Sequence, residues 1–170
     1  MAVGAPITQP VQLVPYGDGD FALTKALECD PDVMRHLGGP VDPADLVDVH
    51  RRRAEEEDWY FKIVPEPGGP AAGTIGIWDS EWDGAPIHEV GWMVLPAFQG
   101  RGIATRALEL LIQRARAEHR LELIHAFPGV SNTPSNTLCR KFGFVLTGAG
   151  DFQFRARTLL CNHWELDLRV

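Results

Sequence analysis

Glu89-Val-Gly-Trp-Met-Val-Leu-Pro-Ala-Phe-Gln-Gly-Arg-Gly-Ile-Ala-Thr105 reads as a short apolar strand, a proline stop, a glycine-rich loop and the opening of a long helix. A loop of this kind feeding a helix N-terminus gathers unpaired backbone N–H groups at the positive end of the helix dipole, which makes an anion site. Helices usually place Asp or Glu in the first turn. Here the first acid is Glu109, and Arg101 lies in the loop. The positive end is left without a counter-charge, as a phosphate ligand requires. The helix behind it is anchored: Ala104, Ala107, Leu108, Leu111 and Ala115 make an apolar stripe, with Arg106, Glu109, Gln113 and Arg116 opposite.

Working outward, the strand–helix–strand unit from Val90 to Phe127 predicts a right-handed crossover between parallel strands. Upstream, Val11 to Pro15 reads as a strand, and Phe21, Leu23, Ala26 and Leu27 as a helix stopped by Asp30-Pro31. Asp42-Pro43 reads as an N-cap and first helical residue, opening a helix that runs through Leu46, Val47, His50 and Ala54 to the acidic cluster Glu55-Glu56-Glu57-Asp58. Strands are expected at Trp59–Val64, Ala72–Asp79 and Ile87–Leu95 as a meander. Downstream come a strand at Leu121–Phe127, a short helix from Thr133-Pro134 to Gly143, and strands at Phe144–Thr147 and Thr158–Leu168. The order β-α-α-β-β-β-α-β-α-β-β predicts an α+β domain with helices laid on a mixed sheet. Residues 1–10 show no periodicity and read as a loose tail before a single domain over 11–170.

Composition narrows the function. The chain has 170 residues, 45% hydrophobic and 23% charged, which suits one globular domain. Its net charge of −7 argues against a nucleic-acid partner. No basic leader or 18-residue apolar run is present, so the expectation is a cytoplasmic protein with no membrane partner. Three cysteines without a Cys-x-x-Cys pair suit a reducing compartment. Six histidines without i, i+4 spacing or a neighbouring cysteine give no expected metal site.

The loop fits neither phosphate-binding pattern of nucleotide enzymes. No third glycine follows Gly100-Arg101-Gly102, and no Gly-Lys-Ser/Thr is present. Gln99-Gly100-Arg101-Gly102-Ile103-Ala104 instead resembles the Q/R-x-x-G-x-G/A signature of the GNAT superfamily of N-acetyltransferases. Asn132-Thr133-Pro134-Ser135 through Lys141-Phe142-Gly143-Phe144 is similar to that family's N-x-x-S…K-x-G-F element, and the likeness spans about residues 59 to 147. It is nearest the Rim-type branch, which acetylates protein N-termini and assorted small amines.

The resemblance implies a single acetyltransferase domain over 11–170, with a twisted, mostly antiparallel sheet of about seven strands, about four helices, and a splay between the fourth and fifth strands. It implies acetyl-coenzyme A as donor, no metal, a small-molecule amine or peptide N-terminus as acceptor, and a monomer or homodimer. Backbone N–H groups of Gln99, Gly100, Arg101, Gly102, Ile103, Ala104 and Thr105 would cradle the pyrophosphate, and Arg101 could add a charged contact. Met93 and Val94 would pair with the pantetheine arm and polarise the thioester carbonyl. Asn132 either bonds that arm or caps the following helix. Glu89 shares a strand face with Gly91 and Met93 and is the expected general base, while His88 points the other way. Where many members of the family carry a tyrosine, this chain has Cys139, so Ser135, with water second, is the expected proton donor. The alternative is a non-catalytic acyl-coenzyme A sensor. For the acceptor, Asp79, Glu81 and Asp83 around Trp78 and Trp82 form either a cation-binding cluster or a polar hairpin, and Arg35–Asp45 a second wall.

Overall fold

The computed structural model describes residues 10–56 and 58–170; the loose tail read over residues 1–9, and Glu57, lie outside that range. The chain runs β1 (Gln12–Pro15), α1 (Phe21–Glu28), α2 (Leu46–Ala54), β2 (Tyr60–Val64), β3 (Gly73–Trp82), β4 (Ala85–Val94), α3 (Ile103–Glu118), β5 (Leu123–Ala126), α4 (Thr133–Lys141), β6 (Val145–Phe154) and β7 (Arg157–Asp167). All seven strands join one sheet in the order β1-β2-β3-β4-β5-β7-β6. Only β4 and β5 run parallel, and they pair at one couple, Glu89 opposite His125. This is the mixed, mostly antiparallel α+β sheet with four helices that the sequence led us to expect.

Alternation along the strands sorts residues between two faces. Ile75 and Ile77 of β3, Phe61 and Ile63 of β2, and Ile124 and Ala126 of β5 go to one face. They meet Ile103, Ala107, Leu108, Leu111 and Ala115 of α3, all buried in the same apolar cluster. Each Leu or Ile so buried contributes about 1.5–3 kcal/mol, which fixes where the N-terminus of α3 can sit.

The opposite face carries α1 and α2 and is more polar. His50 Nδ1 lies 2.8 Å from Tyr16 Oη and 2.9 Å from Thr24 Oγ1. Glu28, 1% exposed, is paired with Arg53 of α2 and with Arg155 Nη2 at 2.7 Å. Arg155 sits in the β6–β7 turn at a φ of 57°, so this ion pair ties the hairpin tip to α1.

Three boundaries differ from the sequence reading. β6 extends to Phe154 rather than stopping at Thr147, because Gly148 and Gly150 lie inside a ladder with β7 rather than in a turn. β3 and β4 run to Trp82 and from Ala85, closed by Asp83-Gly84 with φ of 51° and 77°, the positive pair of a tight hairpin turn. α2 begins at Leu46, capped at Asp45; Asp42 and Pro43 form a preceding turn in which Asp42 Oδ1 accepts from Ala44 N. Among the described residues no helix is long and apolar enough to cross a membrane.

Candidate active site

The loop after β4 is shaped by two glycines. Gly100 and Gly102 hold φ of 71° and 75°, and a Cβ at either would meet no atom within 4 Å. Glycine is needed there for the left-handed backbone rather than for space. Gly102 caps α3 without any side-chain hydrogen bond, and no acid stands in the first turn. Among the described residues, the amides of Gly100 to Thr105 donate to no backbone carbonyl outside the helix's own ladder. The bare positive helix end read from the sequence is therefore present. Gln99 Nε2 donates to Val94 O at 2.9 Å and ties the loop back to the end of β4.

Beside the loop lies the gap between β4 and β5. Leu95 N donates to Ala72 O and Ile77 N to Trp59 O. The alternation of an antiparallel ladder then turns the polar groups of Met93 toward Thr74, its partner on β3. Those of Trp92 and Val94 turn the other way, toward β5. Since β5 pairs only at Glu89, the Trp92 and Val94 amides face the gap.

Glu89 stands at the closed end of that gap. Its cross-strand partner is Trp78, whose ring lies over Gly91 so closely that a Cβ there would come within 2.6 Å of it. Burial pushes the Glu89 carboxyl up to about 7, against the opposing influence of the Ser80 and Trp78 side chains. Such a carboxyl changes protonation near neutral pH, as a general base must.

On α4, Asn132 is the N-cap and its side chain accepts from Ser135 N at 3.3 Å. The capping role read from the sequence is thus filled, and the Asn132 amide nitrogen keeps its own donors. Ser135 is half-buried with no hydroxyl partner among the described residues. Cys139 is fully buried, and burial pushes its thiol up to about 12; it packs rather than reacts.

A single cavity of about 1080 Å³ connects these parts. Glu89, Met93, Val94, Gln99, Gly100, Gly102, Ile103, Ala104, Thr105, Asn132 and Ser135 all line it. Arg101 does not; its guanidinium lies 5.6 Å from the Phe98 ring centre. Arg35, His36 and Leu37 line the far wall, but residues 38–45 do not. Of the acids considered for the acceptor, Asp79 reaches the cavity while Glu81 and Asp83 stay on the hairpin. His88 lies outside it, 3.1 Å from Asp79.

Of the two tryptophans considered for the acceptor, Trp78 lines the cavity and Trp82 does not, while sequence reasoning missed Ser80, Phe127, Phe152 and the β6–β7 tip as cavity walls. It also missed a cluster next to Glu89, where His125 Nδ1 and His163 Nε2 lie 2.8 Å apart with Glu165 behind them. The available signal was His163-x-Glu165, two polar residues at strand spacing that share one face.

Comparison with known proteins adds to this geometry. The model of the acetyltransferase (GNAT) domain matches residues 11–145. A Salmonella typhimurium protein solved with its cofactor acetyl-CoA is 23% identical, with a TM-score of 0.68 over 94% of this chain and 95% of that one. Spermidine N-acetyltransferase from Vibrio cholerae, in complex with CoA and spermine, is 16% identical, with a TM-score of 0.75 over 93% and 95%. Ribosomal-protein-alanine N-acetyltransferase from Brucella melitensis is 22% identical, with a TM-score of 0.69 over 92% and 98%. These similarities establish the shared fold.

Proposed function

The chain belongs to the GNAT acetyltransferase domain family, and from that premise we propose that it is an N-acetyltransferase transferring the acetyl group of acetyl-coenzyme A to a primary amine within a ternary complex. One observation carries the reading: the same cavity holds the uncapped N-terminus of α3 and the Glu89 carboxyl that burial tunes to about 7. The donor supplies an activated acetyl thioester, and its phosphates suit the Gly100–Thr105 amides.

The remaining chemistry belongs to the chain's own residues. An alkyl ammonium with a pKa near 10 must lose a proton before its nitrogen can attack. Glu89 takes that proton through water held in the gap between β4 and β5, since the Val94 end of the strand lies several residues away. The Val94 amide, directed into the gap, stabilises negative charge growing on the carbonyl oxygen. Formation of the C–N bond breaks the C–S bond. As the C–S bond breaks, the acylated nitrogen sheds its extra proton to solvent; the departing thiolate takes a proton from the Ser135 hydroxyl, or from water at its side, and a proton from solvent restores the serine. Asn132 offers its amide hydrogens to the arm of the donor. Arg101 serves the loop through its backbone, its side chain being engaged with Phe98.

For the acceptor, we assign a small amine or a peptide N-terminus. The V. cholerae polyamine enzyme and the B. melitensis ribosomal-protein enzyme, which share the fold, support both classes. The Rim-type motifs favour the second. The test is thiol release from acetyl-coenzyme A across peptides, polyamines and aminoglycosides, with calorimetry of donor binding alongside. Release with one amine class supports the reading. Binding without release from any amine would instead make the protein an acyl-coenzyme A sensor, and no binding at millimolar donor would end both.

A further inference from the structure

Behind Glu89, on the same face of the sheet, three donor atoms converge from two strands. His125 of β5 is paired in register with Glu165 of β7, and His163 lies two residues along that strand on the same face. His125 and His163 are 7% and 8% exposed. His125 Nδ1 lies 2.8 Å from His163 Nε2, and Glu165 Oε1 lies 3.7 Å and 3.6 Å from the two nitrogens. Among the described residues these side chains make hydrogen bonds or ion pairs only with one another. The Phe127 ring stacks on His163 at 4.7 Å, and Trp82 lies 5.2 Å away, so the pocket wall is apolar.

We propose that His125, His163 and Glu165 form a binding site for one divalent cation of the zinc class, independent of acetyl transfer. The three separations define a triangle whose centre lies about 2.0 Å from every donor atom, the length of zinc bonds to imidazole and carboxylate. Two histidines and a carboxylate are a known zinc ligand set, with the fourth position left to water. The facing nitrogens share one proton. On binding, that proton moves to the other nitrogen of its ring, both rings turn a lone pair to the centre, and no oxidation state changes. The cation would tie β5 to β7 beside the strand couple that carries Glu89. The sequence expectation of no metal site rested on spacing within one segment, and these ligands come from two.

The test uses chelator-treated full-length protein titrated with zinc against a chromophoric competitor, and with cobalt as a visible probe. One zinc per chain is expected, with cobalt bands of four- or five-coordinate nitrogen–oxygen ligation. Zinc a hundredfold above its Kd should raise the unfolding midpoint by roughly 5–10 °C. His163→Gln should weaken zinc by more than roughly 100-fold, beyond the loss usual for a supporting partner. Glu165→Gln, at a partly exposed position, keeps the test open if His163→Gln does not fold. Cys161→Ser should bind as the wild type does. Absence of saturable one-to-one binding, equal affinity in Glu165→Gln, or loss in Cys161→Ser would overturn the proposal.

Discussion

Replacing Glu89 by glutamine should make the protein more stable at alkaline pH while removing most of its turnover. The carboxyl stands at about 7 in the folded chain against an ordinary 4.5, because burial disfavours its charge. Below pH 4.5 both folded and unfolded chains hold the proton, and the contribution to stability is complete. As pH rises toward 7 the unfolded chain releases a proton that the folded chain keeps, so stability falls across that window. Above pH 7 the wild type carries a buried charge at a cost of about 3 kcal/mol. Glutamine carries none, and its side-chain oxygen can still accept from Trp78 or Ser80. Scanning calorimetry should therefore place the variant's midpoint roughly 6–12 °C above the wild type at pH 8, with the difference gone at pH 4. Turnover measured by thiol release should drop by about 10²–10⁴, the usual worth of a general base, with donor affinity unchanged. A melting difference equal at both pH values would refute the burial argument. Turnover within tenfold of wild type would refute the role as base.

Gly91→Ala places a methyl group 2.6 Å from the Trp78 ring, at an overpacking cost of about 1–3 kcal/mol. Pushing Trp78 away from Glu89 should lower turnover and leave donor affinity alone; unchanged turnover would refute the ring's part in the site. Glu28→Gln leaves the Arg53 and Arg155 guanidinium groups without their shared buried carboxylate. Denaturant unfolding should report a loss of about 3–5 kcal/mol, and a loss below about 1 kcal/mol would show that the pairs are solvated. Burial pushes the Cys139 and Cys161 thiols up to about 12 and about 11. A thiol reagent at pH 8 should label only Cys29 in the folded chain and all three after unfolding, as mass spectrometry would read; rapid labelling of Cys139 would revive it as a reactive group.

The legible parts of this molecule are those written within one segment. The α3 stripe, the proline-glycine loop and the cap at Asn132 each depend on residues a few positions apart, and each stands close to its expected place. β6 was misjudged because Thr147-Gly-Ala-Gly150 has the composition of a turn, and only the β7 partner makes it a strand. The β3–β4 hairpin was clipped for a similar reason. Asp79, Ser80 and Glu81 are polar, yet Asp83-Gly84 was the stronger signal for an extended pair. The site divides the same way. Glu89 and the loop could be read because motif and strand face coincide. His125 and His163 could not, since register between distant strands decides which side chains share a face. The tip residue Arg155 reaches Glu28 from 127 positions away, a contact that no local pattern encodes.

The lone couple between Glu89 and His125 has a mechanical meaning. It leaves the two parts of the sheet, β1 to β4 and β5 to β7, with backbone pairing at one couple, while the apolar cluster and the Glu28–Arg155 ion pair also join them. From Glu89 to Val94 is five residues, a lever arm of about 17 Å in extended chain. A rocking of one part against the other would therefore move the Val94 end more than Glu89. The carboxylate sits at the paired couple, and the end that faces the glycine loop is the unpaired one. A bulky donor can thus wedge its way in or out without disturbing the alignment of the group that takes the proton.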